Sequence, residues 1–139
     1  MDERLSRDEL PFSPASERNR QPILDALAPR MPETGRLLEI GAGTGQHAVF
    51  MAPRFPGLAW QPTDREVVLD GLRRRVALEG SQNLLEPQPL DVLSEAWPDG
   101  PYAAVFSATT AHIMHWDGVL ATFAGVGIVM ADPQAGHFA

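Results

Sequence analysis

With 139 residues, 44% of them hydrophobic and 21% charged, the chain has the size and composition of one globular domain. Its formal net charge is −7 and all 11 basic residues are arginine, a balance that argues against general nucleic-acid binding. It contains no cysteine, which excludes disulfides, thiolate metal sites and cysteine nucleophiles. No secretory signal is seen at the N-terminus, and no apolar run approaches the roughly 20 residues needed to span a membrane, so the expected location is cytoplasmic.

Residues 1–12 are polar and without a clear period, and read as a flexible arm. Ser13 is expected to cap a short helical turn with Pro14 at its first position, and Pro22 to open a second helix over Ile23–Ala28. Ile23, Leu24 and Leu27 would face inward, and Pro29 and Pro32 stop the helix. A strand over Arg36–Ile40 runs into Gly41-Ala42-Gly43-Thr44-Gly45, and a helix follows from Gln46 to about Arg54. The second strand is Leu58–Gln61, with Pro62-Thr63-Asp64 as its exit loop. The next helix covers Glu66–Leu78, with Val68, Leu69, Leu72 and Val76 at helical spacing. Its cluster Arg73-Arg74-Arg75 reads as a solvated face. Strand three, Leu84–Leu90, is demoted to an edge by Pro87 and Pro89. A helical turn follows over Leu93–Trp97, and strand four, Tyr102–Ser107, is apolar enough to be buried on both faces. Helix-like sequence resumes from Trp116 to about Met130. Such alternation predicts a single α/β domain over 13–139, with a parallel sheet covered by helices. Ligands of such sheets bind beyond the carboxyl ends of the strands, where the strand order reverses.

The chemistry concentrates at those ends. Gly41-x-Gly43-x-Gly45 is not the dinucleotide fingerprint G-x-G-x-x-G, because Gln46 stands at the third glycine position. Glu39, two residues before the first glycine, would repel a pyrophosphate but could hold a cationic amino-acid group, directly or through water. An E-x-G-x-G-x-G run after an apolar strand resembles the first motif of class I S-adenosylmethionine-dependent methyltransferases. The fold implied is a Rossmann-like α/β sheet of about four or five parallel strands flanked by helices. Asp64 ends strand two, 19 positions after Gly45 (64 − 45), close to the separation expected for an acid that accepts from ribose hydroxyls. Capping of the helix at 66 is the competing role for that carboxylate.

The resemblance implies further roles. Asp91 would accept from the adenine amine and Val92 would pack on the ring. Ser107 and Ala108 would bring backbone groups near the methyl donor. His112 and His115, three apart, would share a helical face; His112 is the candidate general base on the substrate side. A structural role suits both histidines equally, and metal ligation is disfavoured for lack of a third ligand at a recognised spacing. His47 reads as a loop-packing or cofactor-adjacent residue.

A narrower resemblance rests on Ser13-Pro14-Ala15-x-Glu17-Arg18-Asn19-x-x-Pro22-Ile23, on Leu38-Glu39-Ile40-x-x-Gly43-Thr44-Gly45-Gln46-His47-Ala48, and on Phe55-Pro56 and Trp60-Gln61-Pro62. Leu90-Asp91-Val92, Trp97-Pro98, Val105-Phe106-Ser107-Ala108 and His112-Ile113 extend it. Together they resemble the class I family that includes methyltransferase-like protein 26, from about Ser13 to about Ala124. That resemblance implies S-adenosylmethionine as cofactor, S-adenosylhomocysteine as product and a small-molecule methyl acceptor. It also implies that residues 13–35 form a lid segment whose Arg18 and Asn19 close over the cofactor.

The family continues into a fifth strand and a final antiparallel pair, whereas this chain ends at Ala139. The expectation is therefore a sheet incomplete at its C-terminus, with an exposed apolar edge that favours a homodimer. Three functions compete: a methyltransferase, a truncated cofactor-binding module acting through association, and a nicotinamide-dependent dehydrogenase. Glu39 and Gln46 disfavour the last.

Overall fold

In the computed structural model, residues 10–91, 98 and 100–108 are described. The expected helical turn at 93–97, the helix from Trp116, and Val92, His112 and His115 lie outside them.

Helix α1 spans Pro14–Leu27. Ser13 caps it: its Oγ accepts from the Ser16 N–H at 3.2 Å, with Pro14 in the first turn. The two helices expected from the sequence are one, with Pro22 inside it. A proline there removes one backbone bond. The helix persists because both halves are anchored: after Pro22, Leu27 is buried and Ile23 and Leu24 pack on the core, and before it Glu17 and Asn19 hydrogen-bond with Gln46 and His47.

Strand β1, Gly35–Ile40, is followed by α2, Gln46–Met51, which tightens into a 3-10 turn at Ala52–Arg54. Strand β2 spans Leu58–Asp64 and leads to α3, Glu66–Glu79, which stops at Gly80. Strand β3 is reduced to Gln88–Pro89, and β4 is Ala104–Phe106. The sheet is parallel, in the order β3-β2-β1-β4.

Strand β2 corrects the expected boundary, since it passes through Pro62 to Asp64. Trp60 donates its N–H outward to Asn83 O at 2.9 Å. Pro62, two residues on, faces the same side without an N–H to give. The Gln61 side chain compensates: its Nε2 donates to Glu86 O at 2.9 Å and to Pro62 O at 3.0 Å. Pairing with the edge then resumes at Thr63↔Gln88. The same two prolines that marked strand three as an edge, Pro87 and Pro89, keep it to two residues of ladder plus an isolated bridge from Leu84 to Trp60.

The main core joins Leu37, Trp60, Ala104 and Phe106 of the sheet to Leu27 of α1 and to Ala48, Met51 and Ala52 of α2 and its following turn. Val76 of α3 packs against it and also against a second cluster of Ala42, Leu69 and Leu72, placed directly behind the glycine loop. Trp60 lies at the centre, edge-on to Phe106 at 5.9 Å and stacked on Phe55 at 6.4 Å.

Candidate functional site

The strand order reverses between β1 and β4, so a crevice is expected beyond their carboxyl ends. The glycine loop occupies that position. Gly41, Gly43 and Gly45 have φ of +71°, +59° and +82°, values that side chains with a Cβ rarely adopt. Alternation of left-handed residues turns the chain from β1 into α2. Ala42 N–H donates to Thr63 O at 2.9 Å, tying the loop to the end of β2, and Gly45 N–H closes the turn on Ala42 O at 3.0 Å. The second and third of these glycines, Gly43 and Gly45, have different surroundings. A Cβ on Gly43 would meet nothing nearer than Gly41 O at 4.0 Å, whereas one on Gly45 would lie 2.9 Å from Leu72 Cδ1 and 3.2 Å from Arg75 Cδ. Gly43 thus presents open main chain, and Gly45 permits the loop to press on α3.

Asp64 braces the loop from β2. Its Oδ2 accepts from Gly43 N–H at 2.8 Å and its Oδ1 from Arg65 N–H at 2.7 Å. The N-cap of α3 is Arg65, and no side chain caps that helix, so Asp64 is not serving the capping role weighed from the sequence. Leu90 N–H donates to Asp64 O at 2.8 Å, which puts the exposed Asp91 beside the end of β2. Glu39 pairs in register with Phe106, so Ser107, one residue further on, flanks the start of the loop.

Glu39 sits beneath the loop rather than on its surface, 1% exposed. Trp60 Nε1 donates to its Oε1 at 2.9 Å, and Thr63 Oγ1 donates to its backbone carbonyl at 2.6 Å. Burial pushes the carboxyl up to about 7; the Trp60 hydrogen bond opposes this, and the nearby Asp64 charge adds to it. No second hydrogen bond to the Glu39 carboxylate is found among the described residues.

Helix α1 is tied to the loop through Gln46 and His47. Gln46 Oε1 accepts from Ser13 N–H at 2.6 Å and from Thr44 Oγ1 at 2.8 Å, and its Nε2 donates to Glu17 Oε1 at 3.0 Å. His47 Nε2 lies 2.9 Å from Asn19 Oδ1. Burial holds the imidazole below its ordinary range, a hydrogen bond with the Ser16 backbone raises it, and the Arg20 charge lowers it. Of the two residues expected over the cofactor, Asn19 is held against His47, and Arg18 is exposed.

Arg75 departs from its expected solvated face. Arg73 and Arg74 side chains are 45% and 47% exposed, but that of Arg75 is 9% exposed. Its Nε donates to Thr44 O at 2.8 Å, Nη1 to Glu79 Oε1 at 2.7 Å and Nη2 to Pro11 O at 2.6 Å. It thereby fastens the loop, α3 and the segment before α1 together; Leu10, in that segment, is buried. The spacing carried a signal for it, because Arg75 lies three residues after Leu72 on the same helical stripe. Gln46 had no comparable signal beyond its place at the helix start.

Among the described residues no group of three metal-ligating side chains gathers, and no helix is long and apolar enough to cross a membrane.

The architecture is that of the Rossmann-like methyltransferases. The apo structure of the S-adenosylmethionine-dependent methyltransferase SibL superposes with a TM-score of 0.70 at 22% identity, over 84% of this chain and 33% of that one. The CcbJ methyltransferase from Streptomyces caelestis gives 0.67 at 24% identity, over 94% of this chain and 51% of the other. The glycopeptide N-methyltransferase MtfA complexed with S-adenosyl-L-methionine gives 0.68 at 18%, over 86% and 52%. The chain therefore spans between a third and about half of the length of these structures. A family model described as "Protein of unknown function (DUF938)" matches residues 10–136, and the chain belongs to that family.

Proposed function

We propose that the chain carries the cofactor site of an S-adenosylmethionine-dependent methyltransferase that acts on a small-molecule acceptor. The observation that carries this reading is the loop itself: three left-handed glycines with open main chain at Gly43, braced by Asp64. The methyltransferases named above support it through their shared fold. The narrower resemblance to the methyltransferase-like protein 26 family belongs to the same proposal.

The residues present fit such a cofactor. Gly41, Gly43 and Gly45 let it approach the backbone. Asp64, although it already accepts two N–H groups, retains acceptor capacity on both oxygens for ribose hydroxyls. Glu39 Oε2 would accept from the ammonium of the amino-acid end. Asp91 and Val92 would receive the adenine, Ser107 would lie near the methyl donor, and Arg18 and Asn19 would border the mouth. His112 would serve as the base toward the acceptor. The chemistry the bound cofactor supplies is a methyl group on a sulfonium, open to in-line attack by the acceptor's lone pair. The protein's own contribution is to position that lone pair, exclude water and take up a proton where the acceptor must lose one.

Calorimetric titration tests the reading. Micromolar binding of S-adenosylhomocysteine, no binding of NAD, and loss of the former in Asp64→Ala are expected. Failure of S-adenosylhomocysteine to bind overturns it.

A further inference from the structure

We propose that Arg75 is the positioning residue of the glycine loop, fixing the Thr44 carbonyl and thereby the backbone against which the cofactor binds. The inference rests on the reading of that loop as the cofactor site. Three glycines have little intrinsic preference for the conformation they hold, so something outside the loop must select it. Asp64 acts from the β2 side, on Gly43 N–H. On the α3 side the contact is with Arg75, whose Nε donates to Thr44 O at 2.8 Å while its Cδ lies behind Gly45. The two anchors thus act on consecutive residues from opposite sides.

The guanidinium suits this task because it sends donors in three fixed directions. Each of its nitrogens serves a different segment: Thr44 O in the loop, Glu79 Oε1 one helical turn along α3, and Pro11 O ahead of α1. Glu79 balances the charge of a side chain that is 9% exposed. Arg73 and Arg74 carry the same charge within two residues, but their partners are the exposed Glu86 and Asp70. They therefore separate an effect of geometry from an effect of local charge.

The experiment compares Arg75→Gln and Arg75→Lys with Arg73→Gln and Arg74→Gln, using amide hydrogen exchange without ligand and titration with S-adenosylhomocysteine. In Arg75→Gln, exchange at residues 41–45 is expected to quicken and affinity to fall about tenfold or more, the scale of losing a charge-assisted hydrogen bond. Arg75→Lys keeps the charge without the fork and is expected to show the same changes in smaller degree. Arg73→Gln and Arg74→Gln should match the wild type. Unchanged loop exchange in a folded Arg75 variant overturns the proposal, as does unchanged affinity or an equal loss in the Arg73 and Arg74 variants. If Arg75→Gln does not fold, Arg75→Lys decides on the same criteria. If the wild type itself does not bind S-adenosylhomocysteine, the cofactor reading fails, and loop exchange alone then sustains or overturns Arg75 as the anchor.

Discussion

The indole of Trp60 donates to Glu39 Oε1 at 2.9 Å, from the centre of the main core to the carboxyl beneath the glycine loop. That single bond joins packing to function. It orients one oxygen of a carboxylate to which no other hydrogen bond is found among the described residues. It also favours the ionised form of a group that burial pushes up to about 7.

Cofactor affinity should therefore depend on pH in the neutral range. Below about 7 the Glu39 carboxyl is mostly neutral, and a cationic ligand must displace its proton. Affinity for S-adenosylhomocysteine is expected to rise about tenfold from pH 6 to a plateau above pH 8. Binding at pH 6 should release a proton, read from calorimetry in two buffers of different ionisation enthalpy. Glu39→Gln should bind more weakly at pH 8 and lose the dependence. A flat profile in the wild type would show that Glu39 does not meet the ligand's charge.

Stability without ligand should move the opposite way. A carboxyl whose folded value lies above its unfolded one favours the fold while it is protonated in both states, at low pH. That contribution is lost as pH rises through the folded value of about 7. Denaturant unfolding should thus show the Glu39 contribution declining from about pH 4.5, the ordinary value, to about pH 7 and level above it, a decline that Glu39→Gln should remove. Trp60→Phe keeps an aromatic ring beside Phe55 and Phe106 but removes the donor, so the decline should continue to higher pH before it levels off. An unmoved midpoint in Trp60→Phe would separate the indole from the ionisation of Glu39.

Most of the sheet and the loop could be read from the residues, because each carries a local signature. The alternation of strand and helix, the glycines at every second position and the prolines of the edge strand all survive in the structure. The misreadings share one cause, which is tertiary compensation. Pro22 reads as a helix start until the core holds Leu27 on one side of it and Gln46 and His47 hold Glu17 and Asn19 on the other. Pro62 reads as a strand end until Gln61 supplies the missing donor. Arg75 reads as solvated until Glu79, Thr44 O and Pro11 O converge on it. In each case the deciding partner lies on another segment or depends on a packed face, which local composition does not display.

The loop glycines should separate by substitution. Gly43→Ala meets open space but keeps φ near +59°, so it should cost about 1 kcal/mol of stability. Its methyl projects where main chain is offered to a ligand, and S-adenosylhomocysteine affinity should fall more than stability does. Gly45→Ala adds a collision with Leu72 and Arg75 to the same backbone strain, so its stability loss should be larger, about 2–4 kcal/mol. Paired denaturation and binding measurements check the contrast; equal stability losses would contradict it.

Helix α1 should loosen on acidification. Its docking includes His47, whose Nε2 meets Asn19 and whose ring also bonds with the Ser16 backbone. Burial is the main reason the imidazole is held below its ordinary value, and the Arg20 charge acts in the same direction. A depressed value means that the fold favours the neutral ring. The stabilisation is present above the unfolded value of about 6.5 and is lost as pH falls through the lower folded one. Glu17, held by Gln46 and paired with Arg20 at 3.3 Å, remains to tie α1 as His47 takes up its proton. Amide exchange across Pro14–Leu27, corrected for its intrinsic pH dependence, should show lower protection at pH 5 than at pH 7.5. His47→Gln retains hydrogen-bonding capacity without a titrating ring and should show little change between the two. Equal protection of the wild type at both pH values would separate His47 ionisation from the docking of α1.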